Sequence, residues 1–209
     1  MRRSIIFASL VAGCVATVPP VRLAPPETPV LDAARYEAVR ARSTRHAHLT
    51  HDYDSALDAE VTLATPEFRA AFVGEVTAIR KLPDTDRDRL VEEQRMDAGK
   101  WVELYVMMES SRWEWNDLAS TKSLWTITFA DDTGRSALAD DRIALDMKPE
   151  MLASLFPQTS PFTRGWKIRF KPAFSDGTPL LHPDARYFVA RIAGPLGATE
   201  VRWDVADRR

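Results

Sequence analysis

The chain has few of the residues that form covalent links or metal centres. Its 209 residues include one cysteine and four histidines. A single cysteine excludes an internal disulfide, so stability must come from a hydrophobic core. A chain of this length buries about 70% of its unfolded surface and needs no disulfide to fold. We therefore expect one main globular domain rather than a disulfide-rich scaffold.

Neither sign of charge is in large excess. The chain has 28 Lys and Arg residues against 30 Asp and Glu residues, a formal net charge of −2. Nucleic-acid binding needs lysine and arginine clustered on one face, and the sequence has no sustained basic stripe. The composition therefore argues against a nucleic-acid partner.

Familiar catalytic motifs are also missing. The sequence contains no Gly-x-Ser-x-Gly, no His-Glu-x-x-His and no glycine-rich phosphate loop. Catalytic groups can be assembled from distant residues, so an enzyme stays open as the alternative. The absence of motifs favours a protein that is not an enzyme.

No apolar run is long enough to span a bilayer, which takes about 20 residues. The stretch from Ile5 to Val11 is much shorter and follows Arg2 and Arg3. A basic start, a short apolar run and then small residues form the pattern of a secretory signal peptide. We therefore expect export.

The lone cysteine stands directly after the small residues of this signal. The tetrapeptide Val11-Ala12-Gly13-Cys14 resembles the lipobox of bacterial lipoproteins. That resemblance implies removal of residues 1–13 and attachment of diacylglycerol and an N-acyl chain to Cys14, which anchors the protein to a membrane. The alternative is an ordinary signal peptide cut nearby, for example after Ala16, which would leave the protein without a lipid.

The residue after the cysteine bears on the destination. By the common sorting rule of bacteria with two membranes, aspartate there retains a lipoprotein in the inner membrane, whereas this chain has Val15. The resemblance therefore favours the outer membrane, with the domain in the periplasm or at the cell surface.

A proline-rich segment separates the expected anchor from the rest of the chain. Residues 14–31 contain five prolines, which suppress helix and favour extended polyproline II. Seventeen such residues would reach roughly 50 Å. We interpret 14–31 as the lipidated cysteine with its tether, and 32–209 as a single globular domain.

Hydrophobic periodicity predicts the elements of that domain. Helical spacing or helix-start signals mark residues 31–42, 68–82 (after Thr65 and Pro66), 84–98 (with Gly99 as the stop) and 148–155, whereas 43–55 is predicted to be a loop. Alternation predicts strands around 57–63, 101–108, 125–129, 136–145, 166–170, 188–192 and 201–205, with a hairpin turn at 131–134. The fold prediction is mainly β or α+β, an antiparallel Ig-like β-sandwich with two or three short helices.

A polar cluster in the predicted loop contains three of the four histidines. His46, His48 and His51 stand close to Asp52 and Asp54. Imidazole and carboxylate together suit zinc or a similar divalent ion, but the spacing matches no recognised ligand pattern. A solvated polar loop is the preferred interpretation, and a metal site formed by His46, His48, His51 and Asp52 is the alternative.

Two tryptophans form the second candidate site. Trp113 and Trp115 are separated by one residue, so in an extended backbone their indoles point the same way. Such a pair could form a ledge for a glycan or a partner protein. Packing into the sandwich core is the other interpretation.

These observations predict a membrane-anchored envelope lipoprotein that acts as a non-enzymatic binding or assembly module. Its expected partners are the membrane, through the lipid, and an envelope protein or glycan, with no cofactor. The alternative is an envelope hydrolase or metal-dependent enzyme that uses His46, His48 and His51.

Overall fold

The computed structural model describes residues 18–25 and 33–206, and Cys14 lies outside them. The architecture is mixed α+β, with nine strands in two antiparallel sheets and four α-helices. The helices are α1 (Ala33–Ser43), α2 (Pro66–Arg80), α3 (Asp84–Lys100) and α4 (Pro149–Leu155). The strands are β1 (Thr44–His51), β2 (Asp54–Leu63), β3 (Val102–Glu109), β4 (Thr126–Asp131), β5 (Ser136–Leu138), β6 (Asp141–Ala144), β7 (Arg164–Phe170), β8 (Tyr187–Gly194) and β9 (Gly197–Asp204).

The two sheets pack face to face around the main core. Sheet A has the strand order β1-β2-β3-β7-β6 and sheet B the order β5-β4-β8-β9. Phe129 of sheet B lies 5.6 Å from Phe170 of sheet A, measured between ring centroids. Trp166 and Trp203 belong to the same buried cluster. The predicted pairing of two antiparallel sheets is therefore confirmed.

Helices cover the other face of sheet A, which makes β3 a strand buried on both sides. Leu104 and Val106 face the core between the sheets, and the intervening Tyr105 packs against Phe68 and Phe72 of α2. The sequence predicts correctly the face of β3 that packs into the core between the sheets. The two long helices, α2 with 15 residues and α3 with 17, match the predicted spans 68–82 and 84–98 closely, but they are not the short helices that the fold prediction expected.

The start of α2 follows the predicted chemistry. Thr65 Oγ1 accepts a hydrogen bond from the Phe68 amide at 3.1 Å, and Pro66 is the first helical residue. The predicted stop of α3 at Gly99 is wrong, since the helix runs to Lys100 and Trp101 is the extended C-cap.

The predicted loop at 43–55 is also wrong, because most of it is β1. This strand pairs with β2, and the chain reverses at Asp52 and Tyr53, both with positive φ. Ala47 is buried and Leu49 packs against the core. The alternation of these two apolar residues with histidines is the signal that a strand was present.

The predicted strand at 136–145 divides between the two sheets. β5 pairs with β4 in sheet B, and β6 pairs with β7 in sheet A. At the crossing point the Ala139 amide donates to Ile127 O and the Asp140 amide donates to Arg169 O. The chain thus closes one side of the sandwich by changing sheets, as strands at sheet corners do.

Part of the predicted tether belongs to the folded body. The Val21 amide donates to Asp204 O at 2.8 Å, the Ala206 amide donates to Val21 O at 2.9 Å, and the Val21 side chain is 1% exposed. Cys14 is seven residues earlier, so even full extension allows a reach of at most about 25 Å beyond Val21. This is half the reach that the whole proline-rich segment would have given.

Candidate functional site

The clearest site is a cleft at one end of sheet A, where β1 and β3 end and β2 and β7 begin. It has a volume of about 810 Å³, within the size range of ligand-binding clefts. Two loops, 110–116 and 160–164, form its walls together with Ser55 and Glu109. We call it the aromatic-rimmed cleft.

Two large aromatic side chains in this cleft are open to solvent. Trp113 is 79% exposed and Phe162 is 78% exposed, whereas Trp125, Trp166 and Trp203 are fully buried. Exposed aromatic side chains that share one cleft are typical of binding surfaces, because contact with a ligand removes their apolar area from water.

The wall that holds Phe162 is fixed by hydrogen bonds. Ser160 Oγ donates to Glu109 Oε2 and accepts from the Phe162 amide at 3.1 Å. The Ser160 amide in turn donates to Thr163 Oγ1 at 2.8 Å. Because several bonds hold this loop against the end of β3, the position of Phe162 is set before any ligand arrives.

Asn116 joins the two walls. Its Nδ2 donates to Phe162 O at 3.2 Å, and its backbone oxygen accepts from Arg164 Nη1 at 3.1 Å. The residue is 6% exposed, and its Oδ1 has no hydrogen-bond partner in the part of the chain that the structure describes. A buried acceptor without a partner is uncommon in folded proteins.

The two tryptophans of the predicted ledge do not form one. Residues Trp113–Trp115 are a 3₁₀ helix rather than an extended segment, so the basis of that prediction is wrong. Trp115 is partly buried, and its carbonyl accepts from Trp125 Nε1 at 2.7 Å. The Arg112 guanidinium lies 4.7 Å from the centre of a Trp115 ring. Trp113 alone is presented to solvent.

The histidines also separate into two places. His46 Nε2 lies 2.9 Å from Asp58 Oδ1 and His48 Nδ1 lies 3.1 Å from Asp58 Oδ2, on the outer face of the β1–β2 pair. His51 instead meets the edge of Trp115, and its Nε2 lies 3.3 Å from Asp52 Oδ2. Among the described residues, no group of three or more His, Cys, Asp or Glu side chains is placed to hold a metal ion.

A second charged cluster lies between sheet A and α3, away from the cleft. Glu103 has no exposed surface; Arg169 Nε donates to its Oε1 at 2.8 Å, and Arg69 Nη1 lies 2.8 Å from its Oε2. Arg169 also contacts Asp97 of α3 at 3.3 Å. Burial is the largest single effect and opposes the charge of Arg169, but the hydrogen bond to Glu103 and the Coulomb attraction of Glu103, Asp97 and Asp141 together outweigh it and raise the arginine pKa. Each charge here has a partner, which fits a role in holding α3.

Sequence reasoning missed Phe162, Asn116 and Arg164. Phe162 and Arg164 are distant in the chain from Trp113 and line the same cleft only because β3 and β7 are neighbours in sheet A, whereas Asn116 ends the short helix that holds Trp113. The sole usable signal was a phenylalanine between turn residues at 157–163, where no core position was expected.

Comparisons with known proteins leave the function to be argued from this geometry. No protein-family model matches the chain, and no curated protein matches it. The chain is similar to a solved protein of unknown function from Burkholderia pseudomallei, with 12% identity, 82% of each chain covered and a TM-score of 0.44. A likeness of this degree carries no functional argument.

Proposed function

We propose that the protein is a membrane-anchored lipoprotein of the cell envelope that binds a partner through the aromatic-rimmed cleft. The observation that carries the binding role is the pair of exposed aromatic side chains, Trp113 and Phe162, in a cleft whose loops are fixed by hydrogen bonds. The lipobox at Cys14 supports the anchor. The outer membrane is the proposed location.

The position of Val21 supports an attachment point at the end of the domain opposite the cleft. Arg45, near the start of β1, donates to Arg202 O at 2.8 Å, and the end of β9 also binds Val21. The cleft lies at the other end of sheet A, beside the start of β2 and of β7. An eight-residue strand such as β1 spans about 26 Å. An anchor at Cys14 would therefore attach the protein at the end of the domain opposite the cleft.

The non-enzymatic role agrees with the arrangement of the titratable groups. The metal-dependent alternative needs His46, His48 and His51 to converge, and in the described structure His51 is apart from the other two. The cleft itself contains one carboxylate, Glu109, which is engaged by Ser160 and Thr163. The Ig-like character of the sandwich remains part of this proposal.

Fractionation of cells that make the Cys14→Ser variant tests the anchor. We expect loss of the processed protein from membranes, or accumulation of an uncleaved precursor, whereas the wild-type mass should equal Cys14–Arg209 plus acyl chains. Replacement of Ala16 by serine is the matched control and should leave membrane attachment unchanged. A processed Cys14→Ser protein that stays in the membrane would contradict the proposal.

A further inference from the structure

We infer that the ligand of the aromatic-rimmed cleft is a neutral oligosaccharide. The inference rests on the proposed binding function and adds the chemical class of the partner. It follows from the combination of exposed aromatic rings with polar walls, and from the opposite charges of Arg164 and Glu109, which balance each other in the cleft.

The mixture of side chains matches the two kinds of surface on a sugar ring. A pyranose has an apolar face of C–H groups and a rim of hydroxyl groups. Trp113 and Phe162 offer flat apolar rings against which the C–H face of the sugar can pack. Aromatic side chains contribute such contact area at low entropic cost. Ser55, Ser110 and Ser111 line the same cleft; the Ser110 and Ser111 hydroxyls donate to Ser55 O, and their oxygens can still accept hydrogen bonds from sugar hydroxyls.

An apolar peptide segment fits this cleft less well. Such a segment is bound by pockets that surround its side chains with apolar groups. Here the aromatic rings stand exposed in an open cleft, whereas many of the other lining residues are serines, with Asn116 and Arg164 between them. A ligand that is polar over most of its surface, with one apolar face, loses fewer hydrogen bonds on entering.

The charges favour a neutral ligand over an anionic one. Arg164 is the one cationic lining residue of the cleft within the described chain, and the Glu109 carboxylate lies on the same wall. Arg164 Nη1 already donates to Asn116 O at 3.1 Å. A phosphate-rich or acidic chain would meet Glu109 as well as Arg164, so Coulomb attraction would be largely cancelled.

The hydrogen-bonded frame favours measurable affinity for a small ligand. Loop 160–164 is fixed to β3 by the hydrogen bond between Ser160 and Glu109. Loop 110–116 is fixed to loop 160–164 by the hydrogen bond between Asn116 and Phe162. A site whose walls are already ordered loses little conformational entropy on binding.

The test is titration of the full chain, extracted in mild detergent, with soluble tetrasaccharides of glucose, N-acetylglucosamine and mannose, followed by calorimetry. We expect saturable binding of at least one tetrasaccharide. Trp113→Ala and Phe162→Ala should each weaken it by at least about tenfold, and Trp113→Phe should retain most of it. Tyr53→Ala is the matched control, because Tyr53 is fully exposed and does not line the cleft.

Absence of saturable binding to all three tetrasaccharides would overturn the inference. Equal weakening by Tyr53→Ala would overturn it too, because the sugar would then be binding outside the cleft. A protein cross-linked through position 113, without sugar binding, would remove the oligosaccharide and leave the binding function standing. If position 113 captures nothing and no sugar binds, both proposals fail.

Discussion

Glu103 illustrates how much a single buried charge depends on its partners. Its side chain is fully buried beneath α3, with Arg169 and Arg69 each 2.8 Å away. Removing one member of a buried ion pair leaves the others desolvated and unpaired, which costs more than the pair itself contributes. This position therefore controls the attachment of α3 to sheet A.

Glu103→Ala should lower the free energy of unfolding by about 3–5 kcal/mol. The control is Glu92→Ala, since Glu92 pairs with Arg95 on the exposed surface of α3 and contributes little to stability. Urea denaturation of both variants measures the difference. Equal midpoints for the two variants would show that the Glu103 cluster does not hold the fold.

The sequence could not identify this cluster or the cleft at the level of residues. Glu103 alternates with Val102 and Leu104 and so resembles an ordinary solvent-facing residue of a strand. Its burial depends on α3, a helix with a largely polar sequence whose position no local pattern specifies. Phe162 and Trp113 likewise line the same cleft only through the pairing of β3 with β7.

Elements with strong local signals are the ones that the sequence predicted well. Thr65 and Pro66 fix the start of α2, and the turn signal between Gly194 and Gly197 fixes the β8–β9 hairpin. β1 was missed because histidines occupy its outer face and disguise the alternation of Ala47 and Leu49. The sheet change between β5 and β6 depends on pairing with strands far along the chain, which periodicity does not report.

The turn that contains Asp176 provides a pH test at the scale of an element. The Thr178 amide donates to Asp176 Oδ1 at 3.0 Å and Arg135 Nη2 donates to Oδ2 at 2.9 Å. The backbone hydrogen bond, followed by the Arg135 contact, lowers the pKa of Asp176 to about 2. A carboxyl whose pKa is lower in the folded state stabilises the fold above its unfolded pKa, and this contribution is lost as pH falls.

Asp176→Asn should therefore lower Tm at pH 6 and reduce the loss of Tm between pH 4 and pH 2. Asparagine can still accept the Thr178 hydrogen bond, but it has no charge to lose in this range. Thermal unfolding followed by circular dichroism measures both effects. Asp184→Asn, at a carboxylate 81% exposed, is the control. Identical pH profiles for wild type and Asp176→Asn would contradict the assignment.

At the scale of the whole molecule, the end of β9 holds the N-terminal segment and also binds Arg45 near the start of β1, whereas the cleft is at the opposite end of β1. Val21 is held between Asp204 and Ala206, and the cleft begins at Ser55 and Glu109. Within the described residues, the helices lack the combination of length and apolar character that a membrane span requires. In our proposal the lipid supplies the attachment, and the docked Val21 puts the point of attachment at the end of the domain opposite the cleft.

Val21→Ala should lower the free energy of unfolding by about 1–2 kcal/mol, because it removes two buried methyl groups from the core. The same change at Val18, which is 49% exposed, is the matched control and should have almost no effect. Chemical denaturation measures the difference. If Val21→Ala unfolds at the same denaturant concentration as Val18→Ala, the segment is not docked as described.

Site-specific photo-crosslinking in intact cells tests the central claim most directly. A photoreactive phenylalanine derivative, which keeps an aromatic ring, would replace Trp113 in the cleft in one sample and Met96 on α3, which is 45% exposed, in another. We expect a discrete light-dependent adduct from position 113 and none from position 96. No adduct from position 113, or the same adduct from both positions, would contradict the claim that the aromatic-rimmed cleft is the binding surface.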